Sequence, residues 1–528
     1  MGEYYVDGAS SSPVTSSGEM AGRFFGELTS ALPELKSRLR VSPEVMPEIE
    51  SEVRALCCRG ADLVCVGLMA ELAGSKLDEA CEQTRSGYDY PLERGRKRQV
   101  RVQMLGGLVV WITSLFCTAR RSASKSESEP RPGVYVELLQ YGFGKGCTAA
   151  VESRVARQAA LCPSFEFAQR ELEREGLCID VKTVRRIAGQ CGQGLLRQRR
   201  RDMDAFRANE LPAGVELKGL RVSVQLDGGR TKIREAMQEL PIVLPEVNLD
   251  GLPCGVTPGR SRSKPSRTFD ANWREPKLLT IFVHDENGRM DQKWNATIDG
   301  TFEGPDVLAE LIAMHLHRLG AAQSQSITFS ADGGVWIWSR IPAILRMAKI
   351  EHVATHQVLD CYHATHHISQ ALASLGLSEA ARHPLYRAQR TLLRNGQWRR
   401  VVEELTEFAQ DESDDSQIWT EIAYLQKHGD AGRLKYPTFR GLGLPLGSGA
   451  IESTIRRVVN MRLKGNSIYW RQDMAEALLQ LRAQVLTNRW DERLKRLREL
   501  RRKDARTDWK WEPSDMTPKD EAIPANAV

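Results

Sequence analysis

The sequence lacks any apolar run long enough to span a bilayer. Its most apolar window, Leu63 to Leu72, is flanked by Asp62 and interrupted by Glu71, whereas a spanning helix needs about 20 apolar residues. No basic stretch followed by an apolar run stands at the N-terminus, so no secretory leader is expected. The eleven cysteines contain no C-x-x-C pair and no even, regular framework. That argues against a zinc ribbon and a disulfide scaffold, and for reduced, mostly buried thiols in a cytoplasmic protein. The chain also lacks a dominant charge: 74 Lys and Arg against 68 Asp and Glu leave a net charge of +6, too mild to identify a partner by itself.

What is present is an uneven distribution of that charge. Basic residues cluster at Arg94 to Arg101, at Arg185 to Arg201 and from Arg456 onward. One such cluster is as readily a solvated helix face, but several on one chain point to a polyanion, with no membrane partner. With 528 residues the chain is long enough for several domains.

Composition and periodicity divide it. Residues 1–18 are Gly/Ser-rich and expected to be disordered. A helical region covers 19–94, with Phe24, Phe25, Leu28, Leu32 and Leu35 on its apolar positions. Residues 95–150 hold a β-hairpin turning at Gly106-Gly107, followed by a polar loop from Arg120 to Pro132. Residues 151–215 give a helix, a short turn containing Gly176, and a second helix exposing Lys182, Arg185 and Arg186. That is a helix-turn-helix pattern, although an ordinary helical hairpin has the same spacing.

From residue 216 to 375 the pattern changes. Strands at GLRVSVQLDGGR, KLLTIFVHDENGR and KWNATIDG precede the helix PDVLAELIAMHLHRLG. Then come the strand SITFSADGG, the helix VWIWSRIPAILRMAKI and the strand HVATHQVLDCYH. This order is α/β and matches the ribonuclease-H-like arrangement, in which three antiparallel strands precede parallel ones. Residues 376–440 are helical and carry the acidic block Asp411 to Asp415, which looks like an insertion. Residues 441–490 return to the core through Gly447-Ser448-Gly449 and a long helix. Residues 491–528 form a basic helix and a tail expected to be disordered.

Two acids, Asp227 and Asp332, end strands, and each is followed by Gly-Gly, so a ligand can approach the carboxylate. A third, Glu452, sits in the first turn of the helix after Gly449. Taken singly, such acids are more often turn formers or helix-dipole complements. Together they make an all-oxygen cage suited to two Mg²⁺ or Mn²⁺ ions, the arrangement that stabilises an in-line phosphoryl displacement.

At these residues the chain resembles bacterial insertion-sequence transposases of the DDE superfamily, closest to the ISKra type. The matching runs are VQLDGGRTKIRE, REPKLLTIFVHDENGR, SADGGVWIW, VLDCYHATHHI and GLPLGSGAIESTIRRVVNMRLKGNSIYW, continuing to AEALLQLRAQVLTNRWDE. They span roughly residues 95 to 492. The resemblance implies a ribonuclease-H-like catalytic core with a helical insertion before the last catalytic helix. It also implies two divalent ions held by Asp227, Asp332 and Glu452, and cutting and joining of double-stranded transposon and target DNA. Pairing of two ends implies a homodimer or larger assembly. The chain departs from the family in one respect: Cys117 has no partner cysteine before Cys147, where a cysteine pair often follows the hairpin.

Further candidates are Arg230 and Lys232, with Arg234, leaving the Asp227 turn, and Arg456, Arg457, Arg462 and Lys464 after Glu452, all suited to a phosphate track. Trp470 could stack on a base; for Trp336 and Trp338 core packing is the simpler reading. Asp360 and His363 are accessory candidates, as a fourth carboxylate and a phosphate contact, against a bland reading as core and helix-face groups. His356, Cys361, His363, His366 and His367 do not give a clean four-ligand set, so zinc is discounted. The rival functions are a catalytically silent, transposase-derived DNA-binding regulator and a carboxylate-pair glycosidase. Intact acids at all three positions oppose the first, and the arginines after Glu452 oppose the second.

Overall fold

The computed structural model describes residues 3–6, 12–73, 75–86, 92–119, 133–144, 146–236, 269–466 and 468–503. The expected loop at 120–132 and the tail beyond 503 lie outside them. The chain forms two compact units, Met1–Arg200 with Gln484–Val528, and Arg201–Ala483.

The first unit begins with β1 (Glu3–Val6), α1 (Ser17–Val41), α2 (Met46–Leu72) and α3 (Ser75–Ser86). It continues with β2 (Leu92–Gln103), β3 (Val109–Ala119), β4 (Gly133–Tyr135), α4 (Val136–Gln140), α5 (Ala149–Leu161) and α6 (Phe165–Arg174); α7 (Val181–Arg207) follows. β2 and β3 form the expected hairpin, and Gly107 supplies the positive φ of its turn, 92°. The N-terminus corrects the sequence reading. β1 pairs antiparallel with β3, because Tyr4 and Val6 alternate into the core and the Tyr4 hydroxyl donates to Glu137 at 2.8 Å. Ser16 then caps α1, its hydroxyl accepting from Glu19 N at 3.1 Å.

Helices α6 and α7 are joined by residues 175–180. Gly176 takes a φ of 87°, and Leu177 N closes back onto Leu172 O at 2.9 Å. Asp180 starts α7, accepting from Thr183 N at 2.9 Å. The thiols correct another expectation: Cys117, Cys147, Cys162 and Cys191 are buried, but Cys57, Cys65 and Cys178 are exposed.

The second unit contains β5 (Arg221–Gly228), β6 (Thr231–Ala236), β7 (Phe269–Arg274), β8 (Lys277–Val283) and β9 (Thr297–Thr301). Then come α8 (Pro305–Leu319), β10 (Ser326–Ala331), α9 (Val335–Trp338), α10 (Ile341–Ala348), β11 (Thr355–Leu359) and α11 (Cys361–Ser374). The remaining helices are α12 (Glu379–Arg394), α13 (Trp398–Phe408), α14 (Gln417–Asp430), α15 (Tyr436–Gly441), α16 (Gly449–Ile455) and α17 (Gln472–Leu486). One sheet runs in the order β11-β10-β5-β8-β9. β10 is parallel to both β5 and β11, while β8 is antiparallel to each of its neighbours β5 and β9.

The core of this unit joins the sheet residues Val222, Val224, Ile281 and Phe329 to Leu311 and Ile312 of α8 and Ile368 of α11. It also takes in Trp398, Leu405, Ile418 and Leu425. The stretch read as an insertion therefore shares one core with the sheet.

Three expectations change here. VWIWSRIPAILRMAKI is two helices, because Pro342 has no N–H to continue the first and starts the second at its N-terminal turn. The helix carrying Glu452 is short: α16 passes into a π-helical turn, Arg456–Asn460, and α17 begins only at Gln472. The ribbon β6–β7 was not anticipated. Its strands pair across residues 237–268, a separation that no local pattern reveals. The last described element is α18 (Trp490–Lys503), part of the first unit, where Arg501 makes a bidentate, buried ion pair with Glu152 at 2.7 and 2.6 Å. Among the described residues no helix is long and apolar enough to cross a membrane.

Candidate active site

Asp227 and Asp332 come together through strand register. In the parallel pair β5–β10, Leu226 lies opposite Ala331, so the two acids are the next residues on neighbouring strands, which run about 4.8 Å apart. The glycine after Asp332 serves close packing, whereas the one after Asp227 faces only a movable glutamate side chain. A Cβ at Gly228 would meet Glu275 Oε1 at 1.9 Å, and one at Gly333 would meet the Tyr424 ring at 2.0 Å. Each acid is tethered locally: Asp227 Oδ1 accepts from Gly228 N at 2.6 Å, and Asp332 Oδ1 from Gly334 N at 2.9 Å.

Glu452 is delivered by side chains the sequence reading did not single out. Gln225 precedes Asp227 by two residues, so both point to one face of the sheet. Its Nε2 donates to Gly447 O at 2.9 Å and its Oε1 accepts from Ile451 N at 3.0 Å. This holds the loop and the first turn of α16 against β5, while Thr280 on β8 meets Thr454 at 3.0 Å. The period-two step from Asp227 back to a buried glutamine was the signal available in the sequence.

Asp360, considered above as a fourth carboxylate, is 2% exposed and its hydrogen bonds make it a structural anchor. Its Oδ1 caps α11, accepting from Tyr362 N at 2.6 Å and His363 N at 2.9 Å. Its Oδ2 accepts from Ser448 N and, at 2.6 Å, from the Ser448 hydroxyl. Both oxygens are therefore occupied.

His363 does reach the site. Its Nε2 lies 3.9 Å from Glu452 Oε1, which also sits 3.2 Å from the Ser448 hydroxyl. The Glu452 side chain is half exposed. Burial first, then the charges of Asp332 and Glu452, push the Asp227 carboxyl up to about 6, against the Gly228 N–H and His363, which pull it down.

The donor set is carboxylate oxygen, the chemistry Mg²⁺ and Mn²⁺ take, and such ions keep several waters beside one or two carboxylates. In that respect the residues present fit the ions. Tight convergence does not hold as expected: among the described residues no three His, Cys, Asp or Glu groups are gathered closely enough to hold an ion. The Glu452 carboxylate instead faces Ser448 and His363.

A packed set on α11 and α14 supports the Asp332 turn from behind. Tyr424 lies against Gly333 and stacks on His367 with ring centroids 3.6 Å apart. His367 Nδ1 pairs with Glu421. His428 follows at 4.6 Å from Tyr424, and burial, with Arg433 and Lys427, pushes it down to about 4, so it is neutral at physiological pH. Trp338 Nε1 donates to Asp332 O at 2.9 Å, which gives that tryptophan its core role; Trp336 is half-buried under Lys277.

The basic candidates divide. Arg456, Arg457 and Lys464 are exposed beyond Glu452, and among the described residues none makes an ion pair with an acid. The Arg457 carbonyl, in the π-helical turn, accepts from Arg482 Nε at 2.9 Å. Arg462 and Trp470 are corrected. Arg462 is 2% exposed with its guanidinium 5.0 Å above the Trp470 ring, and Trp470 is 9% exposed and donates through Nε1 to Leu463 O at 3.0 Å. Neither faces a ligand. Arg230 is exposed, and Lys232 is half-buried over Trp273 at 5.1 Å. In the first unit Lys182, Arg185 and Arg186 are all exposed on α7, with Arg185 5.4 Å from the Phe165 ring. Comparison of the chain with protein-family models, curated proteins and solved structures gives no match.

Proposed function

We propose that the chain is a DDE-type transposase with a ribonuclease-H-like core, which cuts and joins DNA strands with two divalent metal ions. One observation carries the reading. Asp227 and Asp332 end adjacent parallel strands in matched register, and Glu452 rides a helix pinned to the same sheet by Gln225.

Asp227, Asp332 and Glu452 would hold Mg²⁺ or Mn²⁺, which when bound would stabilise charge on the attacking and leaving oxygens of a phosphodiester. Asp227, its carboxyl raised to about 6, is mostly ionised at neutral pH and would be available to hold a cation. Ser448 and His363 orient Glu452. Arg456, next along from the acid helix, faces the scissile strand, and Arg457 and Lys464 continue along its phosphates. No protein nucleophile is required, because water and then a DNA 3′-hydroxyl attack. Lys182, Arg185 and Arg186 on α7 are assigned to binding the ends of the element, as a dimer or larger assembly that brings two ends together.

The test uses labelled duplexes carrying the sequences that flank the chain's own gene. With Mg²⁺ or Mn²⁺ the purified protein nicks them to leave a 3′-hydroxyl, and chelator stops the reaction. Binding with no cleavage under either ion would make the chain a transposase-derived DNA-binding regulator instead.

A further inference from the structure

The ribbon β6–β7 leaves the sheet immediately after Asp227, and its two faces differ. Thr231 and Ile233 point inward and are 0% and 1% exposed. Leu463 and Trp470, which precede α17, close them in. Arg234 N donates to Trp470 O at 2.7 Å, Trp470 N to Lys232 O at 3.1 Å, and the Thr231 hydroxyl to Leu463 O at 2.7 Å. The ribbon is thus fixed both to the strand of Asp227 and to the chain that follows Glu452.

The opposite face carries Lys232 and Arg234 from β6, paired across the ribbon with Trp273 and Ala271 of β7, and ends with Phe269. Lys232 Nζ lies 5.1 Å from the Trp273 ring and 5.7 Å from Tyr469, and Arg234 lies 4.6 Å from Phe269. Trp273 is 53% exposed, the one exposed tryptophan among the described residues. The ribbon's acids, Glu235 and Asp270, fall on the other alternation, where Glu235 is taken by Arg274 and Asn272. Among the described residues, the open face therefore holds cations and aromatic rings without an acid.

A tryptophan left in water beside two cations is poorly explained by folding, since it buries little. We propose that this face is a stacking platform for an unpaired base in a DNA strand next to the Asp227 site, with Trp273 under the base and Lys232 and Arg234 on the adjoining phosphates. Base–aromatic stacking beside cations is how proteins hold single strands without reading sequence. The inference rests on the DNA reading above, and it adds a strand opened at the site.

The test is binding without metal, in chelator, of a blunt duplex and of a forked duplex with the same paired sequence. The wild-type chain binds the fork about tenfold more tightly. Trp273→Ala loses that preference and keeps blunt-duplex affinity within about twofold, Trp273→Phe retains most of it, and Lys232→Ala with Arg234→Ala weakens the fork more than the duplex. A 2-aminopurine at the first unpaired position is quenched by the wild type and not by Trp273→Ala. Equal affinity for both DNAs in the wild type, or a fork preference untouched by Trp273→Ala, overturns the inference while leaving the DNA reading in place. Failure to bind either DNA overturns the DNA reading itself.

Discussion

Asp360 takes both the backbone N–H and the hydroxyl of Ser448, tying the start of α11 to the loop that launches Glu452. The carboxylate that looked in sequence like a spare metal ligand clamps Ser448 and the first turn of α11, which carries His363. Asp360→Asn places an amide against the Ser448 donors and leaves a buried group unsatisfied, at a cost of about 1–3 kcal/mol. Cleavage should fall about tenfold or more, while the metal concentration giving half-maximal rate changes little. Ser448→Ala, which keeps the backbone bond, should be milder. Single-turnover rates over a metal titration check both.

Gly333 and Tyr424 should be coupled. An added Cβ at 333 runs into the Tyr424 ring, so Gly333→Ala must displace Asp332 or the ring. It should lower the melting temperature and the cleavage rate together, and Gly333→Ala with Tyr424→Leu should recover part of both. A double-mutant cycle reads the coupling, expected at about 0.5–3 kcal/mol.

The pH response of Asp227 has a definite sign. Its folded carboxyl is raised from 3.8 to about 6, so the folded state binds the proton more tightly than the unfolded one. The cost of the ionised group is fully present above about pH 6 and disappears as pH falls toward 4. Without metal, Asp227→Asn should therefore be more stable than wild type at pH 7, and the gap should close by pH 4. Thermal denaturation across that range with and without Mg²⁺ checks it; added Mg²⁺ should stabilise the wild type more than the variant.

The basic segment after Glu452 should split into two behaviours. Arg457→Ala and Lys464→Ala should each lower the slope of log binding constant against log salt by about 0.9, on specific and non-specific DNA alike. Arg456→Ala should cost turnover more than binding. Arg462→Ala should leave the slope unchanged and lower the melting temperature, because Arg462 is buried over Trp470. Fluorescence anisotropy over a salt series, with a melting curve for each variant, separates the two groups.

Much of the sheet was legible because its strands are locally patterned. Val222, Val224 and Leu226 alternate, and α8 carries Pro305 at its start and Gly320 at its end. The three acids were legible because each sits at a strand end or helix start, beside glycines. What was not legible depends on partners distant in sequence. Arg462 and Trp470 look like DNA contacts in a basic run, but Trp470 bonds to the ribbon backbone at Lys232 and Arg234 and Arg462 lies over its ring. Gln225 looks like an ordinary strand residue until Gly447 and Ile451 arrive from the far end of the unit. The break after α16 was hidden because the π-helical turn uses residues that would equally suit an α-helix, with the Arg457 carbonyl met by Arg482.

On the proposed function, Asp227, Asp332 and Glu452 act as one metal-holding unit on DNA. Single-turnover strand cleavage by Asp227→Asn, Asp332→Asn and Glu452→Gln, beside DNA binding by the same proteins, tests it most directly. Each variant should lose about 10³-fold or more in cleavage and keep DNA affinity within about twofold, and pairs of substitutions should cost little beyond either alone. Near-wild-type cleavage by any one of the three would contradict the account.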